Sequence, residues 1–211
     1  MVELQPVDAV EVTLVVDNHD QLVAEHGFSA LVTVFSGGRR SSILYDGGLT
    51  PDGLANNLDI MQVDPAELRA IVVSHGHTDH HGGLEGLAAR TGRRRLPLLI
   101  HPGLDNQVLI SGEVPRVTEF EVGFPHAGAV NVLRNAKRLT GRDQIAGFVG
   151  GFHLTGAIFE PIIEPTVAAF AELGVGRFVP GHCTGGKATH RLAAAFPGAF
   201  IQPSVGTVLR F

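Results

Sequence analysis

Residues 75–81 carry four histidines, His75, His77, His80 and His81, together with Asp79, directly after an apolar run at 71–73. Imidazole nitrogens and carboxylate oxygens are good ligands for borderline divalent metals such as zinc. On an extended segment, side chains two apart point to the same side, so His75 and His77 can converge on one ion. A turn into helix at Asp79 would swing that carboxylate and His80 toward a second position nearby. A histidine-rich loop without an ion is the plainer alternative. Histidine tags, however, are terminal and repetitive, whereas this cluster sits mid-chain before Gly82-Gly83-Leu84.

The elements that must hold the cluster can be read from local pattern. Residues 10–17 and 30–35 are rich in β-branched side chains and predict strands, and Gly37-Gly38 followed by 43–45 predicts the return strand of a hairpin. That strand runs into Asp46-Gly47-Gly48, where a carboxylate is as easily a turn residue as a functional one. Thr50-Pro51 opens a helix, and Asp64-Pro65-Ala66-Glu67 is a capping box that a lone helical turn would also satisfy. Residues 68–73 form the strand that delivers the histidines, and Leu84, Leu87 and Ala88 mark a helix after them. A strand at 96–100, an irregular stretch at 103–125, a helix at 127–139 and a strand at 144–149 follow. The remainder predicts a helix at 161–173 stopped by Gly174, a short strand at 178–179, a helix through 192–195 and a closing strand at 205–211. No repeat of fixed period is present.

Composition narrows the classes. The 211 residues are 44% hydrophobic, enough for one substantial core, and one compact domain over 1–211 is expected. The formal net charge is −5, so no global field favours nucleic acid, and Arg93-Arg94-Arg95 reads as a solvated loop. Cys183 is the sole cysteine, which rules out an internal disulfide and fits a reducing compartment. With no signal peptide and no membrane-spanning apolar stretch, the expectation is a soluble, cytoplasmic protein that acts on a small molecule, with no membrane partner and an open oligomeric state. The 27 glycines fit an active site built on tight loops.

The pattern His-x-His-x-Asp-His at 75–80 resembles the signature of the metallo-β-lactamase superfamily, most of whose members are binuclear metallohydrolases. The resemblance implies an α/β fold, a four-layer αββα sandwich with the metal site at one edge of its two sheets. Gly150-Gly151-Phe152-His153-Leu154, Gly181-His182-Cys183-Thr184-Gly185 and the run from His126 to Leu133 resemble the branch named for dihydropterin-ribofuranosylaminobenzene-phosphate synthase. His26-Gly27-Phe28-Ser29 and residues 112–117 resemble it too, so the likeness spans nearly the whole chain. Asp46 matches the Asp of an Asp-Thr-Gly motif that supports a metal-binding histidine from behind, with Gly47 where Thr is usual.

Carried over residue by residue, the resemblance gives His75, His77 and His126 to a first metal and Asp79, His80 and His182 to a second. His153 stands where most members have a bridging Asp. An imidazole nitrogen cannot bridge two cations as a carboxylate does, so His153 either binds one ion or serves beside the site in hydrogen bonding or acid–base work; we favour the ligand or near-ligand role. In the family a strand precedes the histidine that matches His126, whereas here Gly123-Phe124-Pro125 runs straight into it. Segments near 102–126 therefore read as missing or shortened, by natural shortening, by engineered deletion or by residues left out of the sequence.

The function implied is a binuclear metal-dependent hydrolase. It would use a hydroxide held by two divalent ions, zinc first and manganese or iron as alternatives, on a small anionic substrate related to phosphate or pterin. Asp79 and His153 are its candidate catalytic residues. His153, His101 and Cys183 are candidates for proton transfer, and His26, His101, Cys183 and Thr184 are candidates for substrate contact. The alternative is a non-hydrolytic metal protein on the same ligands, an iron oxidoreductase or a binding or sensing domain.

Overall fold

A computed structural model describes residues 6–19, 22–91, 96–100, 116–121 and 126–211. His101 and the Arg93-Arg94-Arg95 run lie outside the described residues, as do most of the irregular stretch 103–125 and residues 112–115. The chain divides into two compact units, residues 1–106 with 204–211, and residues 107–203. Among the described residues no helix is long and apolar enough to cross a membrane.

The first unit is built on a six-stranded sheet. Its strands are β1 (Ala9–Val16), β2 (Ser29–Ser36), β3 (Arg39–Tyr45), β4 (Leu68–Val72), β5 (Leu98–Leu99) and β8 (Val208–Arg210), in the order β5-β4-β3-β2-β1-β8. The predicted hairpin forms, β2 and β3 pairing antiparallel from Ser36 opposite Arg39 across the Gly37-Gly38 turn. β3 and β4 are parallel, which requires a crossover. Helix α1 (Pro51–Ile60) supplies it, opened as its sequence predicts: Thr50 Oγ1 accepts from Gly53 N–H at 3.1 Å and Pro51 takes the first turn. Asp64 caps only a 3-10 turn, Pro65–Glu67. Buried Asn57 of α1 donates to the carbonyls of Val15 and Val23, both at 2.8 Å, which ties the helix to β1 without leaving an amide unpaired. Leu44, Leu54, Leu58, Leu68, Val73 and Leu87 fill the core between sheet and helices, each contributing about 1.5–3 kcal/mol by its burial.

After β4 the chain makes the four-residue helix α2 (Thr78–His81) and then α3 (Leu84–Thr91). The link between them lies against the Asp46-Gly47-Gly48 turn so closely that a Cβ on Gly83 would stand 2.0 Å from the Gly47 carbonyl oxygen, and one on Gly82 would stand 2.2 Å from that of Leu49. Only glycine permits this backbone contact, and the contact sets where α2 presents its side chains.

The second unit has its own core and a two-stranded parallel sheet, β6 (Phe148–Gly151) with β7 (Phe178–Gly181). Around it are α4 (Ala129–Thr140), α5 (Ile163–Glu172) and α6 (Gly186–Ala195). Phe148 stacks on Phe152 and Phe170 on Phe178, with ring centroids 4.4 and 5.0 Å apart. Several boundaries differ from the sequence reading. β6 begins at Phe148 and not at residue 144, because only Ile145 makes an isolated bridge, to Val175, before it. β7 extends to Gly181, and α6 reaches back to Gly186 because the Gly185 carbonyl accepts from Thr189 N–H at 3.0 Å and begins the helical ladder. α5 is preceded by a separate 3-10 turn, Glu160–Ile162. β8 covers only Val208–Arg210, since Thr207 N–H turns back to the Ser204 carbonyl at 3.0 Å.

Helix α4 has an unusual start. Its cap position is Gly128, at φ 92° with no side chain to offer, and the buried Glu121 carboxylate accepts from Val130 N–H at 2.9 Å and Asn131 N–H at 2.8 Å. Burial pushes the Glu121 carboxyl above its ordinary value, opposed by those two donors and by Arg134. A carboxyl raised in the folded state adds stability that is complete below its unfolded value and is lost as pH rises through the folded value.

Two outcomes are expected. Gly83→Ala should cost about 2–3 kcal/mol in denaturant unfolding, because backbone and not a flexible side chain must move. In metal-free protein, the stability of wild type relative to Glu121→Gln should fall as pH is raised above 4.5, read from unfolding curves at stepped pH.

Candidate metal centre

The donors of the first unit collect at the carboxyl ends of β3 and β4. Parallel register puts Tyr45 beside Val72, and Asp46 N–H continues the ladder to the Val72 carbonyl at 2.8 Å, so the residues just past each strand are neighbours. Asp46 then departs into left-handed backbone at φ 57°, a region non-glycine residues seldom occupy. This turns its side chain onto the segment leaving β4. Asp46 Oδ1 accepts from Ser74 N–H at 2.6 Å and Oδ2 from Ser74 Oγ–H at 2.7 Å. The Asp46 backbone carbonyl also accepts from Ser29 Oγ–H at 2.9 Å. Burial, and then the Asp46 charge, push the neighbouring Tyr45 phenol up, so it stays protonated.

These bonds fix two imidazoles. His80 Nδ1 lies 2.8 Å from Asp46 Oδ2 and donates to it, which leaves Nε2 with the lone pair. Ser74 Oγ spends its proton on Asp46 and therefore accepts from His75 Nδ1–H at 2.9 Å, which sets the same tautomer in His75. One buried carboxylate thus orients both rings, one directly and one through a hydroxyl. His75 Nε2 faces His77 Nδ1 at 3.1 Å, within the roughly 3.0–3.6 Å expected of two donors about 2.1 Å from one ion. Asp79 Oδ2 lies 3.9 Å from His80 Nε2 and 3.5 Å from His26 Nε2. The donor chemistry and tautomers fit divalent metal ions: the chain turns into α2 after His77, so that Asp79 and His80 lie on the helix, with the His75 and His80 ring centroids 4.0 Å apart.

In the second unit, two of the three expected histidines leave their strands in the same strained way as Asp46. His153, two residues past β6, has φ 53°, and His182, the first residue past β7, has φ 44° and is buried. The His153 ring is held edge-on between His126 and Phe159, with centroids 4.3 and 4.5 Å away. Thr184 is buried: its hydroxyl donates to the Gly181 carbonyl at 2.8 Å and accepts from Phe152 N–H at 3.0 Å, so it ties the ends of β6 and β7 together. Cys183 is partly buried beside it, and the His26 side chain is largely exposed.

The sequence reading gave no role to Ser74, Phe159, Glu121 or Asn131. Ser74 had a usable signal, a hydroxyl at the strand end directly before the first metal-type histidine. The other three act through contacts four to fourteen residues away that no motif marks.

Comparison with known proteins bears on the family and the fold. Residues 25–158, more than half of the chain, match the Metallo-beta-lactamase superfamily. The curated 7,8-dihydropterin-6-methyl-4-(beta-D-ribofuranosyl)-aminobenzene-5'-phosphate synthase of Methanocaldococcus jannaschii is 20% identical, over 89% of this chain and 90% of its own length. That alignment spans 268 positions against 211 residues here, so part of the relative has no counterpart in this chain. The crystal structure of Tm1679, a metal-dependent hydrolase of the beta-lactamase superfamily, is 25% identical with a TM-score of 0.66, covering 95% of this chain and 98% of that one. A diphosphatase of the PhnP family, 15% identical, shares the fold at a TM-score of 0.57 over 98% of both chains. The matched span takes in the Asp46 turn, Ser74 and the whole histidine cluster, and the chain belongs to the metallo-β-lactamase superfamily.

Proposed function

We propose that the protein is a hydrolase that holds two divalent metal ions, zinc first among them, and acts on a small anionic substrate related to a phosphate ester or a pterin. The observation that carries this reading is the relay from Asp46 through Ser74 to His75 and directly to His80, which prepares two imidazole nitrogens as ligands at one strand edge. Membership of a superfamily made up mostly of metal-dependent hydrolases supports the reaction class, and the likeness to Tm1679 supports it further. The phosphate-bearing name of the M. jannaschii relative supports the substrate class.

In this reading His75, His77 and His126 hold the first ion, and Asp79, His80 and His182 hold the second. His153 is a ligand or a near neighbour that moves a proton. Divalent ions in such a set supply Lewis-acid activation of water and of a phosphoryl or carbonyl oxygen. The chain's part is to present lone pairs and hold them still. Asp46 accepts a hydrogen bond from His80 Nδ1–H, Ser74 Oγ accepts one from His75 Nδ1–H, and the Asp79 carboxylate is placed on the first turn of α2, where it can orient a reacting water. Phe159 packs edge-on against the His153 ring and limits its rotation. Cys183 is a candidate for contact with the substrate, as are His26 and His101. The site works in a reducing, cytoplasmic setting.

Three measurements test this. Elemental analysis with anomalous scattering on the purified protein should find two divalent ions per chain. Iron together with an oxygen- or thiol-dependent activity would favour an oxidoreductase instead. Chelation should abolish turnover in a screen of phosphodiester, lactone and thioester substrates, and zinc or manganese should restore it on the phosphodiester. A protein loaded with two ions that turns over none of them is not a hydrolase of this kind. Asp46→Asn keeps the side-chain shape but removes the charge behind His80, and should weaken metal binding about 10–100-fold in a competition titration.

A further inference from the structure

We propose that Glu121 and Asn131 are the positioning residues of His126, closing a buried polar ring around the segment that carries it. The inference rests on His126 being a ligand of the first ion, as proposed above.

Both residues are only 1% exposed. The Glu121 carboxylate reaches forward past His126 to accept the N–H groups of Val130 and Asn131. Asn131 reaches back. Its Oδ1 accepts from Val117 N–H at 3.2 Å and Thr118 N–H at 3.0 Å, and its Nδ2 donates to the carbonyl of Ala127, the residue after His126, at 2.8 Å. Glu121 N–H bonds the Thr118 carbonyl at 2.9 Å, and Arg134 of α4 donates to Thr118 Oγ1 at 2.8 Å. Residues 117–121 and 127–131 are therefore bound to each other by both side chains, and His126 emerges between them. Gly128 makes the approach possible, since a Cβ there would stand 2.3 Å from the Glu121 carboxyl carbon.

Capping α4 alone would not call for this arrangement. A Ser, Thr or Asp at the cap position satisfies the same N–H groups locally and keeps its polar atoms near water. Here the cap residue is a glycine, and the acceptor is a carboxylate desolvated in the interior, a far costlier choice for capping alone. What the costlier choice adds is cross-linking of the two sides of the His126 segment. Among the described residues the stretch before His126 contains a 3-10 turn, Glu119–Glu121, and it is this turn that the ring ties to the start of α4.

The test is a double-mutant cycle on the full chain, with zinc alone as the probe in competition with a chromophoric chelator. Glu121→Gln should weaken the first zinc equivalent at least tenfold. Made in a His126→Ala background, it should change affinity less than twofold, because its effect runs through that ring. Unfolding curves alone cannot supply this coupling, which a merely structural residue would not show. The proposal is overturned if Glu121→Gln lowers stability yet binds zinc as wild type does, or if it weakens binding equally with and without His126. Should Glu121→Gln not fold, Asn131→Ala, which releases the Ala127 carbonyl, carries the same expectation and the same reversal. Wild type that binds no zinc, or His126→Ala that binds it unchanged, removes the ligand assignment itself and the inference with it, whereas the other failures leave that assignment standing.

Discussion

The Asp46 carboxylate is the constraint on which the first unit's chemistry depends. It is buried, lies at the end of a strand in left-handed backbone, and spends both oxygens on the segment that leaves the adjacent parallel strand. Neutral imidazole has two tautomers, and only one of them offers a lone pair from a given nitrogen. By accepting one hydrogen bond from His80 directly and ordering that of His75 through Ser74, Asp46 selects that tautomer in both rings. The backbone cost at φ 57° is thus exchanged for two preorganised ligands.

The same device recurs in each unit. Asp46, His153 and His182 are three of the four non-glycine residues with positive φ among those described, and each follows the carboxyl end of a strand in a parallel pair. Parallel neighbours end on the same side, so a residue that turns sharply out of one strand meets the loop leaving the next. Strain gathers at such points, while the cores beneath are made of ordinary Leu, Val and Phe packing. Glu121 and Asn131 likewise put buried polar groups to work, binding residues 117–121 to the start of α4.

Much of the fold was legible because its signals are local. Thr50-Pro51 is a helix start wherever it falls, Gly37-Gly38 permits the tight hairpin turn, and the strand leading into His75 shows in its apolar run. Errors collected where local signals are weak. A strand read from 144 actually begins at 148, after a single bridge, and a helix recognised at 192–195 already starts at 186. Thr184 shows the converse. Its hydroxyl read as available for a substrate, but it is buried between two strand ends, and its bond to Phe152 N–H, 32 residues away, has no local signal.

The sequence by itself determined the kind of chemistry, since four histidines and an aspartate at this spacing can hardly avoid offering converging metal ligands, and alternation and helical offset follow from chain geometry. Only the tertiary structure decided which nitrogens carry lone pairs. His80 and Asp46 are 34 residues apart and Ser74 and Asp46 are 28 apart, so their bonds exist only once parallel pairing has brought two strand ends together. Residue type and spacing are properties of the chain, whereas tautomer, burial and left-handed backbone are imposed by neighbours that folding supplies.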